Sequence, residues 1–264
     1  AVDGMSLALE PGEIVGVIGP NGAGKTTLFN LIAGAMRANG GKILIGGTDV
    51  TKEGAERRIA RGLARTFQIP KPFADMTVLE NAMVAGTRQT GETMVGALSA
   101  FGRVRTEESR LKERAETLLD FLNLRRVTLE PARNLSGGQR KLLELARAMM
   151  TEPKILLLDE PAAGVNPALM DFIMDRIEEI NAQGVTVLLI EHNMSVVQRL
   201  CGRAIVMADG KELAAGAPGS VLADPRVVEA YLGGAEAARA DRSLKPKASL
   251  QATSQAFPSS TESP

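Results

Sequence analysis

Long apolar runs, an excess of either charge, and thiols are all missing or scarce. No uninterrupted apolar stretch in the 264 residues approaches the ~18–20 needed to cross a bilayer. A membrane-spanning helix is therefore not expected, and the chain reads as soluble or peripheral to a membrane that something else spans. Lys plus Arg equal Asp plus Glu at 31 each. A neutral chain does not advertise nucleic acid or an acidic surface as its main partner, although a local basic patch stays open. Cys201 is the single cysteine, so no internal disulfide can form and the chain suits a reducing compartment. It follows an apolar helical pattern and reads as a buried small hydrophobe rather than a reactive thiol. The opening "AVDGMSLALEPGE" has no basic head before its apolar residues, so it does not read as a secretory leader. Aromatics are few, and none precedes Phe29.

Apolar residues make up 44% of the chain, enough for one large core or two small ones. "EIVGVIG", Glu13 to Gly19, is a β-branched run that fits a buried strand. A Gly-rich turn and a helical "TTLFNLIAGAM" follow it. "GKILIGG" (Gly41 to Gly47) and "GLARTFQ" (Gly62 to Gln68) read as two more strands. "TEESRLKERAETLLDFLNL" places Leu111, Ala115, Leu118, Leu119 and Leu122 on one helical face, with Glu107 and Glu108 expected in its first turn. "KILLLD" and "GVTVLLIE" are buried strands on either side of a helix near residues 168–181. That is a βαβ unit with parallel strands. "AIVMADGKELAAG" reads as a hairpin turning at Asp209-Gly210. Residues 235–264 are rich in Ala, Ser and Pro and poor in large apolar side chains, so a disordered tail is expected there.

"GPNGAGKTT" comprises Gly19, Pro20, Asn21, Gly22, Ala23, Gly24, Lys25, Thr26 and Thr27. It matches the phosphate-loop (Walker A) pattern between a strand and a helix. Phosphate needs many converging N–H groups, which a glycine-permissive backbone can supply. Lys25 is placed to reach the β- and γ-phosphates, and the Thr26 hydroxyl to bind Mg²⁺. Asp159 and Glu160 end the "KILLLDE" strand. Carboxylates at the carboxyl end of a parallel strand face the crevice where ligands bind. Asp159 suits a water-mediated Mg²⁺ contact, and Glu160 the base that polarises an attacking water. The competing reading is an acidic helix N-cap, kept open by Pro161. His192, the only histidine, follows the second buried strand. Alone it reads as structural; beside a phosphate site it could donate to the γ-phosphate. Gln68 could touch Mg²⁺ or the water, or sit plainly on the surface. A second anion-favouring turn lies in "NLSGGQRKLLELARAM": Ser136, Gly137 and Gly138 open a helix whose Leu142, Leu145, Ala146 and Met149 share a buried face.

Taken together these residues resemble the ATP-binding cassette (ABC) ATPases. The phosphate loop, Gln68, "LSGGQ" (Leu135 to Gln139), "ILLLDE" and His192 occur in the family's order. The resemblance implies an α/β P-loop NTPase (RecA-like) core over residues 1–234, with a mostly parallel sheet, a small antiparallel β part and a helical subdomain at about 80–145 carrying the signature. It implies ATP hydrolysis with Mg²⁺ held by Thr26, Gln68 and Asp159, and catalysis by Glu160, His192 and Gln68. It also implies a head-to-tail pair of cassettes in which Ser136, Gly137, Gly138 and Gln139 meet the partner's ATP. "ARTFQIPKPFADMTVLENAMVA", "DEPAAGVNP", "IEHNMSVV" and "VVEAYLGG" look like the ATP-binding subunits of branched-chain amino acid importers. In that subgroup Asn166 stands where most cassettes have Asp. The implied partners are a second cassette, two integral membrane permease subunits and a periplasmic binding protein, at the cytoplasmic face of a bacterial inner membrane. Urea, amides and aromatic acids are the alternative cargoes of related importers. A cassette acting on nucleic acid or ribosomes, and a small-molecule kinase, are the rival readings. Phe73 and Met76 are candidates either for docking on a membrane subunit or for ordinary packing under the helical subdomain. The family's adenine-stacking aromatic on the first strand is absent, and is expected upstream of Ala1.

Overall fold

The computed structural model describes residues 1–66, 71–86 and 101–231, with the backbone alone for 101–105. Five parallel strands and one antiparallel strand form the main sheet among the described residues. They are β1 (Ile14–Ile18), β4 (Leu63–Arg65), β5 (Ile155–Asp159), β6 (Thr186–Ile190), β7 (Arg203–Ala208) and β8 (Lys211–Gly216). Their spatial order is β4-β5-β6-β1-β7-β8, with only the β7–β8 pair antiparallel. The central strands read as continuous apolar runs because both faces are covered. Ile14 and Ile18 join one core cluster, while Val15 and Val17 join the other, alternating across β1.

The phosphate loop leads from β1 into α1 (Lys25–Ile32). The sequence pattern extends this helix to Met36; α1 stops where Gly34 turns to φ 75°, a left-handed conformation that commonly ends helices. Arg58, on α2 (Ala55–Ala60) and 1% exposed, collects the carbonyls there. Its guanidinium donates to Leu31 O and Ile32 O at 2.6 Å each, and to Val50 O at 2.8 Å. The expected strand over 41–47 shrinks to β2 (Leu44–Ile45), paired antiparallel with β3 (Thr48–Asp49). Glycines flank it, and Leu44 is exposed, so no burial extends the ladder.

Three helices pack on one another beside the sheet. They are α3 (Val78–Val84), α4 (Phe101–Phe121) and α5 (Gly137–Met150). α3 went unread in the sequence. Its Thr77–Glu80 capping box forms, each side chain meeting the other residue's backbone N–H. α4 begins before Thr106, so Glu107 and Glu108 lie in its second turn rather than its first. No proline between Phe101 and Thr106 stops the helix from starting earlier. α6 (Pro167–Ala182) crosses from β5 to β6, which pair in parallel. α7 (Met194–Leu200) precedes β7. The β7–β8 turn has Asp209 at φ 50° and Gly210 at φ 81°, as a two-residue hairpin of this kind requires. α8 (Pro218–Leu222) and a helical segment at 225–231 close the described chain. No described helix is long and apolar enough to cross a membrane. Gln68 and the 235–264 tail lie outside the described residues.

Candidate active site

β5, β6 and β1 are neighbours, with Asp159 opposite Ile190 and Ile190 opposite Val17. Their carboxyl ends therefore deliver Asp159-Glu160, Glu191-His192 and the phosphate loop to one edge of the sheet. In open α/β sheets, ligands bind at such an edge.

The loop itself depends on two glycines. Gly19 sits at φ 148°, and a Cβ there would fall 2.1 Å from Met207 O. Gly24, at φ 99°, is the left-handed N-cap of α1 and has no room for a Cβ beside Ala1 O. No side chain caps α1, so its first N–H groups and the positive end of its dipole are available to an anion. Lys25 is buried and donates from Nζ to Gly19 O at 2.7 Å and Pro20 O at 2.9 Å. Burial lowers its pKa, against the opposing charges of Glu160 and Asp159. Thr26 is exposed and Thr27 half-buried.

Asp159 is 3% exposed and pairs with Arg65 of β4 at 3.1 Å. Burial raises its pKa, and the Arg65 hydrogen bond works against that. Arg65 also donates to Asn30 Oδ1 of α1 at 2.6 Å, so one guanidinium links the acidic strand end to the phosphate-loop helix. Glu160 stands at φ 50°, a conformation costly for any residue with a Cβ. Its N–H donates to Ile190 O at 3.0 Å, and its carbonyl accepts from Lys141 Nζ at 2.7 Å. His192 Nε2 lies 3.0 Å from Glu160 Oε1. The candidate base and the histidine thus stand side by side across two strand ends, at ion-pair distance. The acidic N-cap reading fails here: the next helix, α6, is capped by Asn166, whose Oδ1 accepts from Leu169 N at 2.9 Å.

Glu191, unread in the sequence, is 2% exposed and organises the same corner. Oε1 accepts from Ala162 N at 3.1 Å, while Oε2 accepts from His192 N at 3.1 Å and Asn193 N at 3.3 Å. A Glu within a β-branched, apolar strand end was the available signal. Glu160, Glu191, His192 and Asn193 help line a cavity of about 390 Å³.

The signature turn is built separately. Ser136 caps α5 by accepting from Gln139 N at 3.2 Å, and Gln139 Oε1 accepts from Ser136 N at 2.9 Å. Gly137 faces open space, and Gly138 packs on Leu169 of α6. Among the described residues, no hydrogen bond or ion pair joins residues 135–139 to the loop 19–27. The expected buried face of α5 is present: Leu142, Leu145, Ala146 and Met149 are all in the core. Cys201, also buried, ends α7. Phe29 is fully buried in α1, so it is no platform for a base. Phe73 (49% exposed) and Met76 (37% exposed) lie on the surface rather than in the core. Asn81, fully buried, shapes their loop by donating to the carbonyls of Phe73, Met76 and Thr77.

A glycine loop feeding a helix, beside acidic strand ends in a parallel sheet, defines a P-loop nucleotide-binding α/β protein. Residues 2–163 match the family model described as ABC transporter, and residues 211–237 match one described as branched-chain amino acid ATP-binding cassette transporter. The chain belongs to the ABC transporter family and is its ATP-binding cassette, an ATPase coupled to transport. It is 43% identical, over 88% of its length and 90% of the relative's, to a probable branched-chain amino acid transport ATP-binding protein LivG of Archaeoglobus fulgidus. It is 42% identical to the high-affinity branched-chain amino acid transport ATP-binding protein LivG of Escherichia coli, covering 88% of this chain and 92% of that protein. A crystal structure of the ADP conformation of an ATP-binding cassette of an ABC transporter superposes with TM-score 0.75 at 38% identity, covering 88% and 92% of the two chains.

Proposed function

We propose that this chain is the ATP-hydrolysing subunit of an importer for branched-chain or related amino acids, working as one of two cassettes paired head to tail. The observation that carries the catalytic part is the 3.0 Å contact between His192 Nε2 and Glu160 Oε1, beside the glycine loop and Lys25. The loop's N–H groups and Lys25 take the phosphates of ATP. Glu160 accepts the proton of the attacking water while His192 holds the carboxylate in orientation. Thr26 and Asp159 supply hard oxygen donors that fit Mg²⁺. No group of three His, Cys, Asp or Glu side chains able to hold a metal exists among the described residues, so phosphate and water oxygens would complete the shell. Bound there, the ion would neutralise phosphate charge.

Pairing accounts for the second glycine turn. Among the described residues, Ser136 and Gly138 make no hydrogen bond or ion pair with their own phosphate loop, and the capped start of α5 offers N–H groups to an anion from elsewhere. Across a head-to-tail pair, that anion is the γ-phosphate of the partner's ATP. Two permease subunits, a periplasmic binding protein and a place at the cytoplasmic face of the inner membrane complete the reading; the relatives' names support its branched-chain amino acid transport part. Glu160→Gln is expected to slow hydrolysis by about 10²-fold or more and to accumulate an ATP-bound dimer in light scattering. Wild-type turnover by this variant, or a monomer in saturating ATP, overturns the reading. Uptake of labelled leucine, against urea and short amides, by vesicles carrying the full complex tests the cargo; amide uptake without leucine uptake overturns it.

A further inference from the structure

Lys141 lies on α5, five residues beyond the Ser136 cap, yet its side chain serves another element. Its Nζ donates to the Glu160 carbonyl at 2.7 Å. A cation in the second turn of a helix gains nothing from the dipole, so helix stability does not explain it. The ammonium is partly stripped of water, with Glu191, Glu160 and Asp159 as the nearby opposing charges. Its target is a strained residue: Glu160 has φ 50° and precedes Pro161, and a residue before proline is restricted further. Such conformations persist only where surrounding contacts over-determine them. The Glu160 N–H is fixed by Ile190 O, its carbonyl accepts from Ala163 N as well as Lys141, and its carboxylate meets His192. Ile190, Ala163 and His192 belong to the two strand ends themselves. Lys141 comes from the signature helix.

We propose that Lys141 is a positioning residue that ties the seating of the general base to the placement of this chain's own signature corner. The inference rests on the two-cassette reading above. Ser136 and Lys141 ride on one rigid helix, separated by about 7.5 Å of rise at five residues. When the Ser136 corner engages the partner's nucleotide, α5 is held in place, and with it the ammonium that fixes the Glu160 peptide. Each base is thereby in position only while the opposite site is occupied, which makes hydrolysis at the two sites cooperative.

The test uses Lys141→Met and Lys141→Arg in the full chain, alone and combined with Glu160→Gln. Lys141→Met is expected to lower kcat at least about 10-fold, since small misplacements of a catalytic group are costly. Its affinity for a fluorescent ATP analogue should stay within about twofold, as for an interaction used only in the reaction step. Its Hill coefficient for ATP should fall toward one, and Lys141→Arg should restore both kcat and cooperativity. The Glu160→Gln/Lys141→Met double variant should still form the ATP-bound dimer. Wild-type turnover by Lys141→Met, or a parallel loss of ATP affinity, kcat and thermal stability, overturns the linkage while leaving the two-cassette reading intact. Failure of Glu160→Gln alone to dimerise with ATP overturns both.

Discussion

Replacing Glu191 by Gln isolates what a buried carboxylate does at the junction of β6 and the segment after Glu160. The native side chain accepts three backbone N–H groups, from Ala162, His192 and Asn193. Hydrogen bonds to a charged acceptor contribute about 1.5–3 kcal/mol each, against 0.5–1.5 for neutral ones. Glutamine has one acceptor oxygen. Placed toward His192 and Asn193 it keeps two bonds, each weaker by about 1 kcal/mol on those ranges. Its NH₂ then faces the Ala162 N–H, donor against donor, and leaves that group unsatisfied at about 1–3 kcal/mol. The sum is about 3–5 kcal/mol. At roughly 2–4 °C per kcal/mol for a chain of this size, Tm falls by about 6–20 °C. Because His192 and Ala162 flank the proposed base, turnover is expected to fall as well, by about 10- to 100-fold, through misplacement of His192 and Glu160. Calorimetry and a steady-state phosphate-release assay read the two effects. A variant with native Tm and native turnover would refute the reasoning, since the carboxylate would then be dispensable to the corner it holds.

Arg58→Met removes the donor to the Leu31, Ile32 and Val50 carbonyls and should lower unfolding free energy by about 3–5 kcal/mol; a change below about 1 kcal/mol in urea titration contradicts this account of how α1 ends. Burial pushes the Cys201 thiol up to about 12, so its thiolate is scarce at pH 8, and iodoacetamide should label the native chain far more slowly than the denatured one; equal rates by mass spectrometry refute this. Met76→Asp should leave ATP hydrolysis by the isolated chain unchanged and uncouple uptake in the reconstituted complex, because Met76 is on the surface beside Phe73; native uptake counts against a docking role.

The sheet was legible because its central strands are buried on both faces and so read as unbroken apolar runs. "KILLLD" and "GVTVLLIE" needed no partner information to be placed. The pairing of β7 with β8 was equally open to reading, since Asp209-Gly210 adopts the left-handed angles that such a turn needs. Elements failed where local pattern competed with termination or packing. Gly34 and Arg58 together end α1 four residues short of Met36, and the Arg58 contribution comes from residues on another helix. Over 41–47 the β-branched signal was real, but burial to lengthen the strand was missing. α3 was readable from its Thr77–Glu80 capping box, a signal outweighed by the short length of the helix, only Val78–Val84.

The site divides along a different line. Residues proposed to meet a phosphate or a water are confined by chemistry to a few types at fixed spacing, so Lys25, Asp159 and Glu160 could be read from their own segments, whereas His192, structural when read alone, took its role from its place beside the phosphate site. Their supports carry no such constraint. Arg65, Lys141 and Glu191 act through a guanidinium on a carboxylate, an ammonium on a backbone carbonyl, and a carboxylate on backbone N–H groups. Each of these contacts has a different sequence separation, 94 residues between Arg65 and Asp159 and 19 between Lys141 and Glu160. No period or motif can encode a partner whose distance along the chain is set by the fold. The strain at Glu160 belongs with them: nothing in "LLLDEPAAG" announces a left-handed glutamate. It exists because α5 and β6 each hold one end of its peptide, so the proposed base's position is a property of the assembled fold rather than of the strand that carries it.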